Sequence, residues 1–92
     1  MYQVDFASAG KREFVRLSKI LPEKAVLRIA TAITALSDNP RPEGARKLAG
    51  SESIYRVRGG DFRILYYIDD KVRSVVILRI RRRSEDTYDN IV

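Results

Sequence analysis

Arg56, Arg58 and Arg63 flank a Gly59-Gly60 pair, and their type and spacing bound the chemistry open to this 92-residue chain. If Gly59-Gly60 makes a two-residue turn, as its permissive backbone invites, Arg58 lies opposite Asp61 and Val57 opposite Phe62. Arg56 then faces Arg63, and Tyr55 faces Ile64. The alternation of strand side chains puts Val57, Phe62, Tyr55 and Ile64 on one face and Arg56, Arg58 and Arg63 on the other, with Asp61 beside them. Like charges directly opposite each other destabilise a sheet, so Arg56 against Arg63 calls for a bound phosphate or an acidic partner. A guanidinium offers a planar fork to phosphate and can stack on bases, which a lysine cannot do. A solvated sheet face would account for charge of either kind. The preference for arginine points to a polyanion, RNA above all. A second cluster, Arg79-Ile80-Arg81-Arg82-Arg83, should return to the same place, and the length of the preceding turn decides which of Arg81, Arg82 and Arg83 joins the face. Tyr88 follows, where no core demands an aromatic ring.

What the chain lacks narrows the chemistry further. With no cysteine there are neither disulfides nor thiolate ligands. With no histidine, the usual general base and the commonest transition-metal ligand are both missing. Acid–base work must fall to Tyr, Lys, Asp or Glu. Eighteen Lys and Arg against twelve acids give +6, which suits nucleic acid, an anionic membrane surface or an acidic protein. Glu85, Asp86 and Asp89 could hold Mg²⁺, but acids beside three arginines more often pair with them. No metal and no cofactor are expected. The apolar runs are too short for a membrane span and the start has no secretory pattern, so a cytoplasmic protein with no membrane partner is expected.

The elements that must position these residues are legible from periodicity. Residues 2–6 alternate, with Tyr2, Val4 and Phe6 on one side, and read as a strand. Ser8 can cap a helix carrying Phe14, Leu17 and Leu21 at helical spacing. Pro22 ends that helix and can open the next, whose stripe is Val26, Ile29, Ala30, Ile33 and Leu36. Asp38-Asn39-Pro40-Arg41-Pro42 stops it. Residues 40–53 read as a loop, with one possible helical turn over 45–48. The period then changes to two, predicting strands over 54–58, 62–68 and 74–80, with Asp69-Asp70 as turn residues. One of Tyr66 and Tyr67 should be core. The whole, 1–92, reads as a single α+β domain: an N-terminal strand, a two-helix hairpin, then a three-stranded antiparallel sheet with the helices on one face.

Leu36-Ser37-Asp38-Asn39-Pro40, Lys47-Leu48-Ala49-Gly50, the stretch from Tyr55 through Arg58-Gly59-Gly60-Asp61 to Tyr66, and Arg81-Arg82-Arg83 followed by Tyr88 together resemble the RelE/ParE superfamily of bacterial and archaeal toxins. The likeness covers nearly the whole chain and leans to the RelE branch. It implies a RelE-like fold and a type II toxin–antitoxin toxin that enters the ribosomal A site, cuts the mRNA there and is silenced by a cognate antitoxin. Matching the family's catalytic pattern position by position places its roles on Arg56, Arg58, Arg63, Arg83 and Tyr88, with Arg82 the competitor for Arg83 and Arg81 an added RNA contact. Some relatives carry lysine at positions 56 and 58, and arginine holds its proton too firmly to act as a base. The resemblance also implies a ribosome and mRNA as partners, and operator DNA for the toxin–antitoxin complex. Two other readings stand beside it: a ParE-like toxin acting on DNA gyrase without cleaving nucleic acid, and a simple nucleic-acid-binding module.

Overall fold

The computed structural model describes residues 1–82. In chain order these form β1 (Gln3–Phe6), α1 (Ser8–Ile20), α2 (Glu23–Ala35), β2 (Arg46–Lys47), β3 (Ile54–Gly59), β4 (Phe62–Asp69) and β5 (Ser74–Arg82). The α+β order matches the expected one, and the sheet is larger than the sequence suggests. Five strands run in the order β1-β5-β4-β3-β2. The long C-terminal strands pair antiparallel, while β1 lies parallel to β5 with Val4 beside Val75 and Phe6 beside Ile77.

Both apolar helix stripes meet one sheet face. Leu17 of α1 and Ile29, Ile33 and Leu36 at α2 join Phe62, Ile64, Tyr66, Ile68, Val75, Ile77 and Ile80 in a buried cluster. Burial of this kind is worth about 1.5–3 kcal/mol per large apolar side chain, so it dominates the stability of so short a chain. Tyr66 is the largest fully buried side chain, and Tyr67 is 38% exposed, so one of the tyrosine pair is core as expected. The Tyr66 hydroxyl donates to the Pro40 carbonyl at 2.7 Å, and burial pushes its pKa up to about 12. Tyr66→Phe leaves that carbonyl without its partner and should cost about 1–2 kcal/mol in denaturant unfolding.

Two local expectations are corrected. Ala7, not Ser8, is the N-cap of α1, and no side chain caps it. A single residue connects β1 to α1, and its N–H donates to Ile77 of β5 at 2.9 Å, so the sheet fixes where the helix starts. The possible helical turn over 45–48 is instead the edge strand β2, with Arg46 beside Arg56 and Lys47 beside Tyr55. Buried Leu48 anchors it, donating its N–H to Ile54 at 2.8 Å. The β4–β5 pairing is irregular at one point: Leu65 pairs with Arg79 but Tyr66 pairs with Ile77, leaving Leu78 as an extra residue. Such a bulge re-aims the strand beyond it. Pro22 behaves as expected, standing at the N-cap of α2 with φ −59°.

The loop after α2 is tied to the opposite end of the sheet. Arg41 forms a fork on the Asp70 carboxylate at 2.8 and 3.2 Å, donates to the Tyr55 hydroxyl at 3.1 Å and lies over its ring. The Tyr2 hydroxyl donates to the same carboxylate at 2.5 Å. Bonding from Arg41 first, then Tyr2, holds the Asp70 carboxyl below its ordinary 3.8. A depressed pKa means a contribution fully present above the unfolded value and lost as pH falls through the folded one. Thermal unfolding of Asp70→Asn should therefore differ from that of the parent by a constant amount well above pH 3.8 and converge with it below.

Candidate nucleic-acid interface

The arginine face is built by the β3–β4 hairpin, and its turn is one residue later than the sequence suggests. Gly59 pairs with Phe62, so Gly60 and Asp61 form the two-residue turn. Gly60 has φ +64°, the left-handed value that a type II′ hairpin turn requires at its first central position. Gly59 stays in the strand because α2 crosses it. A Cβ there would lie 3.2 Å from Cα of Ile29 and 3.1 Å from Cδ1 of Ile64. The observed pairs are Arg58 with Arg63, Val57 with Ile64, Arg56 with Leu65 and Tyr55 with Tyr66. The like-charge pair is thus Arg58–Arg63, Arg56 faces a leucine, and Asp61 belongs to the turn. The pairing has moved by two residues, an even number, so the strand side chains keep the face that alternation assigned to them.

The third strand settles which basic residues join. Arg81 pairs with Arg63, and Arg79 with Leu65. Residues paired across a sheet point to the same side, so Arg58, Arg63 and Arg81 stand abreast on three neighbouring strands, about 4.8 Å apart in backbone spacing. A second row behind them holds Arg46, Arg56, Leu65 and Arg79. Arg82 pairs with Phe62 on the helix-bearing face, and its guanidinium lies 5.1 Å from the centre of that ring. That position separates Arg82 from the row. Arg83 and Tyr88, and the acids Glu85, Asp86 and Asp89, lie outside the described residues.

A recess of about 80 Å³ opens where Arg46, Arg56, Arg58 and Arg63 converge, floored by Gly44 and Val57. That is the room of two to three waters at about 30 Å³ each, the scale of a small anion. The four guanidinium groups that line this space are of a kind whose planar forks match phosphate oxygens.

Arg46 is absent from the sequence reading because a two-residue charged edge strand has no periodicity to detect. The available signal was a lone apolar residue, Leu48, directly after the charged pair, where it is buried and anchors the strand. Glu13 was missed as well. It stands on α1, 16% exposed at the side chain, and its carboxylate reaches both Arg79 and Arg81.

With this geometry in view, the chain was compared with known proteins. Residues 4–87 match the model of the ParE toxin of type II toxin–antitoxin system, parDE. RelE1 of Methanocaldococcus jannaschii is 36% identical over 75 residues, covering 78% of this chain and 82% of that one. Toxin RelG of Mycobacterium tuberculosis is 34% identical over 87 residues, covering 91% and 93%. Among solved structures, the archaeal RelE–RelB complex from Pyrococcus horikoshii superposes with a TM-score of 0.74 at 25% identity, covering 91% of this chain and 97% of that one. Fold, sequence and family model agree, and the chain belongs to the RelE/ParE superfamily of type II toxin–antitoxin toxins.

Proposed function

We propose that this chain is a RelE-type mRNA endonuclease that cuts mRNA in the ribosomal A site and so halts translation. The observation that carries the reading is the row Arg58–Arg63–Arg81 beside the recess lined by Arg46 and Arg56. Cleavage of RNA by its own 2′-hydroxyl needs that hydroxyl deprotonated, the charge growing on the phosphorane oxygens stabilised and the leaving 5′-oxygen protonated. The arginine rows supply the second requirement. Positioned guanidiniums favour the more highly charged transition state over the ground-state diester. Arg83 belongs to the same scheme as a phosphate contact.

Arginine does not release its proton readily, so neither Arg56 nor Arg58 is the base. Tyr88 takes that role or orients the hydroxyl, provided neighbouring cations lower its pKa. A site so poor in acid–base groups depends on a substrate aligned for it, and the ribosome supplies that alignment. Free RNA is then a poor substrate, the product ends in a 2′,3′-cyclic phosphate or its opened form, and the toxin works in the cytoplasm. Primer extension on translated mRNA with the purified protein should show breaks within the A-site codon. Uncut mRNA on stalled ribosomes would sink the reading.

A cognate antitoxin completes the picture, as RelB accompanies RelE in the Pyrococcus horikoshii complex. An open groove of about 950 Å³ runs along α1, lined by Lys11, Arg12, Arg16 and Lys19 with the apolar Val15 and Ile20, and reaches Glu13 and Arg79 at the edge of β5. Its charge and exposed apolar side chains suit an acidic amphipathic segment. The toxin–antitoxin pair would bind operator DNA. The match to the ParE model gives a gyrase-directed toxin as the second reading. Inhibited supercoiling with intact A-site mRNA would establish it.

A further inference from the structure

Glu13 lies outside the arginine rows and yet reaches them. One of its carboxylate oxygens, Oε1, accepts the Ile80 N–H at 2.8 Å. The other, Oε2, lies 3.3 Å from Nε of Arg81 and 3.4 Å from Nε of Arg79. The cause is topological. β1 stops at Phe6, beside Ile77, so β5 continues past its parallel partner with an unpaired edge. The start of α1 covers that edge, with the Ala7 N–H donating to the Ile77 carbonyl and Gly10 packed against it. Glu13 is one helical turn beyond Gly10, on the same side of α1, and so comes down on the next stretch of β5.

The charges on the other strands give this contact a consequence. Arg58, Arg63 and Arg81 stand abreast, and like charges on neighbouring strands repel. A long, solvated side chain at the end of such a row would swing away and pay little for it. The half-buried carboxylate opposes that motion for Arg81. It engages Arg81 through Nε, so the terminal nitrogens that grip a phosphate are not spent on the contact.

Building on the endonuclease reading above, we propose that Glu13 is a positioning residue: its carboxylate anchors Arg81 beside Arg63, so the row meets the scissile phosphate already ordered. Glu13 does not touch the RNA and acts through Arg81. A purely structural Glu13 would serve only to satisfy the Ile80 N–H. Glu13→Gln separates the two roles, because its amide oxygen can still accept that N–H while the charge is gone.

The test measures A-site cleavage and the exchange protection of the Arg81 Nε–H by NMR, in the parent, Glu13→Gln, Glu13→Asp, Arg81→Ala and the double variant Glu13→Gln/Arg81→Ala. Glu13→Gln should lower kcat roughly tenfold with KM little changed and the fold intact. It should lose the Nε–H protection, and Glu13→Asp should recover part of both. In the Arg81→Ala background Glu13→Gln should have no further effect on cleavage. Unchanged kcat and unchanged protection would overturn the proposal, and so would faster cleavage, which would mark Glu13 as a competitor for the phosphate. A parent protein that leaves A-site mRNA whole would refute the endonuclease reading instead, and the Nε–H exchange would still decide whether Glu13 orders Arg81.

Discussion

Arg63→Ala should lower A-site cleavage about 10²–10³-fold, the range seen when one preorganised donor is removed from a developing oxyanion, while ribosome binding falls only a few-fold. Arg63 is the middle member of the row, between Arg58 and Arg81, and it also lines the recess with Arg46 and Arg56. Removing it takes away the cation nearest the centre of the face. On the proposed reading, association with the ribosome would draw on the chain's net +6, which one substitution barely changes. Single-turnover cleavage on programmed ribosomes, measured beside ribosome affinity at fixed salt, checks both parts. A simple nucleic-acid-binding module predicts a different pattern, with binding and any activity falling in step.

The second large effect is on stability. Gly10→Ala should destabilise the fold by about 2–4 kcal/mol, although alanine is the better helix former by about 1 kcal/mol. A Cβ at position 10 would run into the carbonyl oxygen of Ile77 and stand 3.1 Å from its carbon. Both atoms belong to a strand backbone inside the sheet, so α1 must lift away. Lifting strains the Ala7 bond to Ile77 and the Glu13 bond to Ile80, each worth about 1 kcal/mol or more. Urea denaturation should show a lower midpoint. A midpoint equal to or above that of the parent would mean α1 does not depend on this close approach.

Most of the frame was legible because its signals are periodic. The stripe from Val26 to Leu36 could only be a helix lying on something apolar, and the alternation from Tyr55 to Ile68 could only be strand. Face assignment survived even where the register did not, since Arg56, Arg58 and Arg63 keep their side whether the turn is Gly59-Gly60 or Gly60-Asp61. What decided the turn was the passage of Ile29 over Gly59, a tertiary contact that local sequence does not record. Arg46 was hidden in a strand too short to have a period. Glu13 was hidden because its role depends on the end of β1, seventy residues away along the chain from the strand it serves. Between Arg81 and Arg82 the choice turned on the pairing of β5, which sets Arg81 beside Arg63 and sends Arg82 to the ring of Phe62. The family likeness was legible in the central hairpin, where charge, glycine and aromatic positions are set close together.

The parallel pairing of β1 with β5 also bears on when the molecule can become harmful. Residues 3–6 find their partner only at residues 74–77, the most distant pairing in the sheet. Contacts of such separation form late and slow the folding of a small domain. During synthesis β1 and both helices emerge with no strand to cover them, and β5, which joins β1 to β4, is the last of the described strands to be made. Arg81 travels on that strand. The basic row is therefore completed only once β5 has been made and has paired with β4, so a copy stopped before residue 74 carries exposed apolar helices and no assembled row.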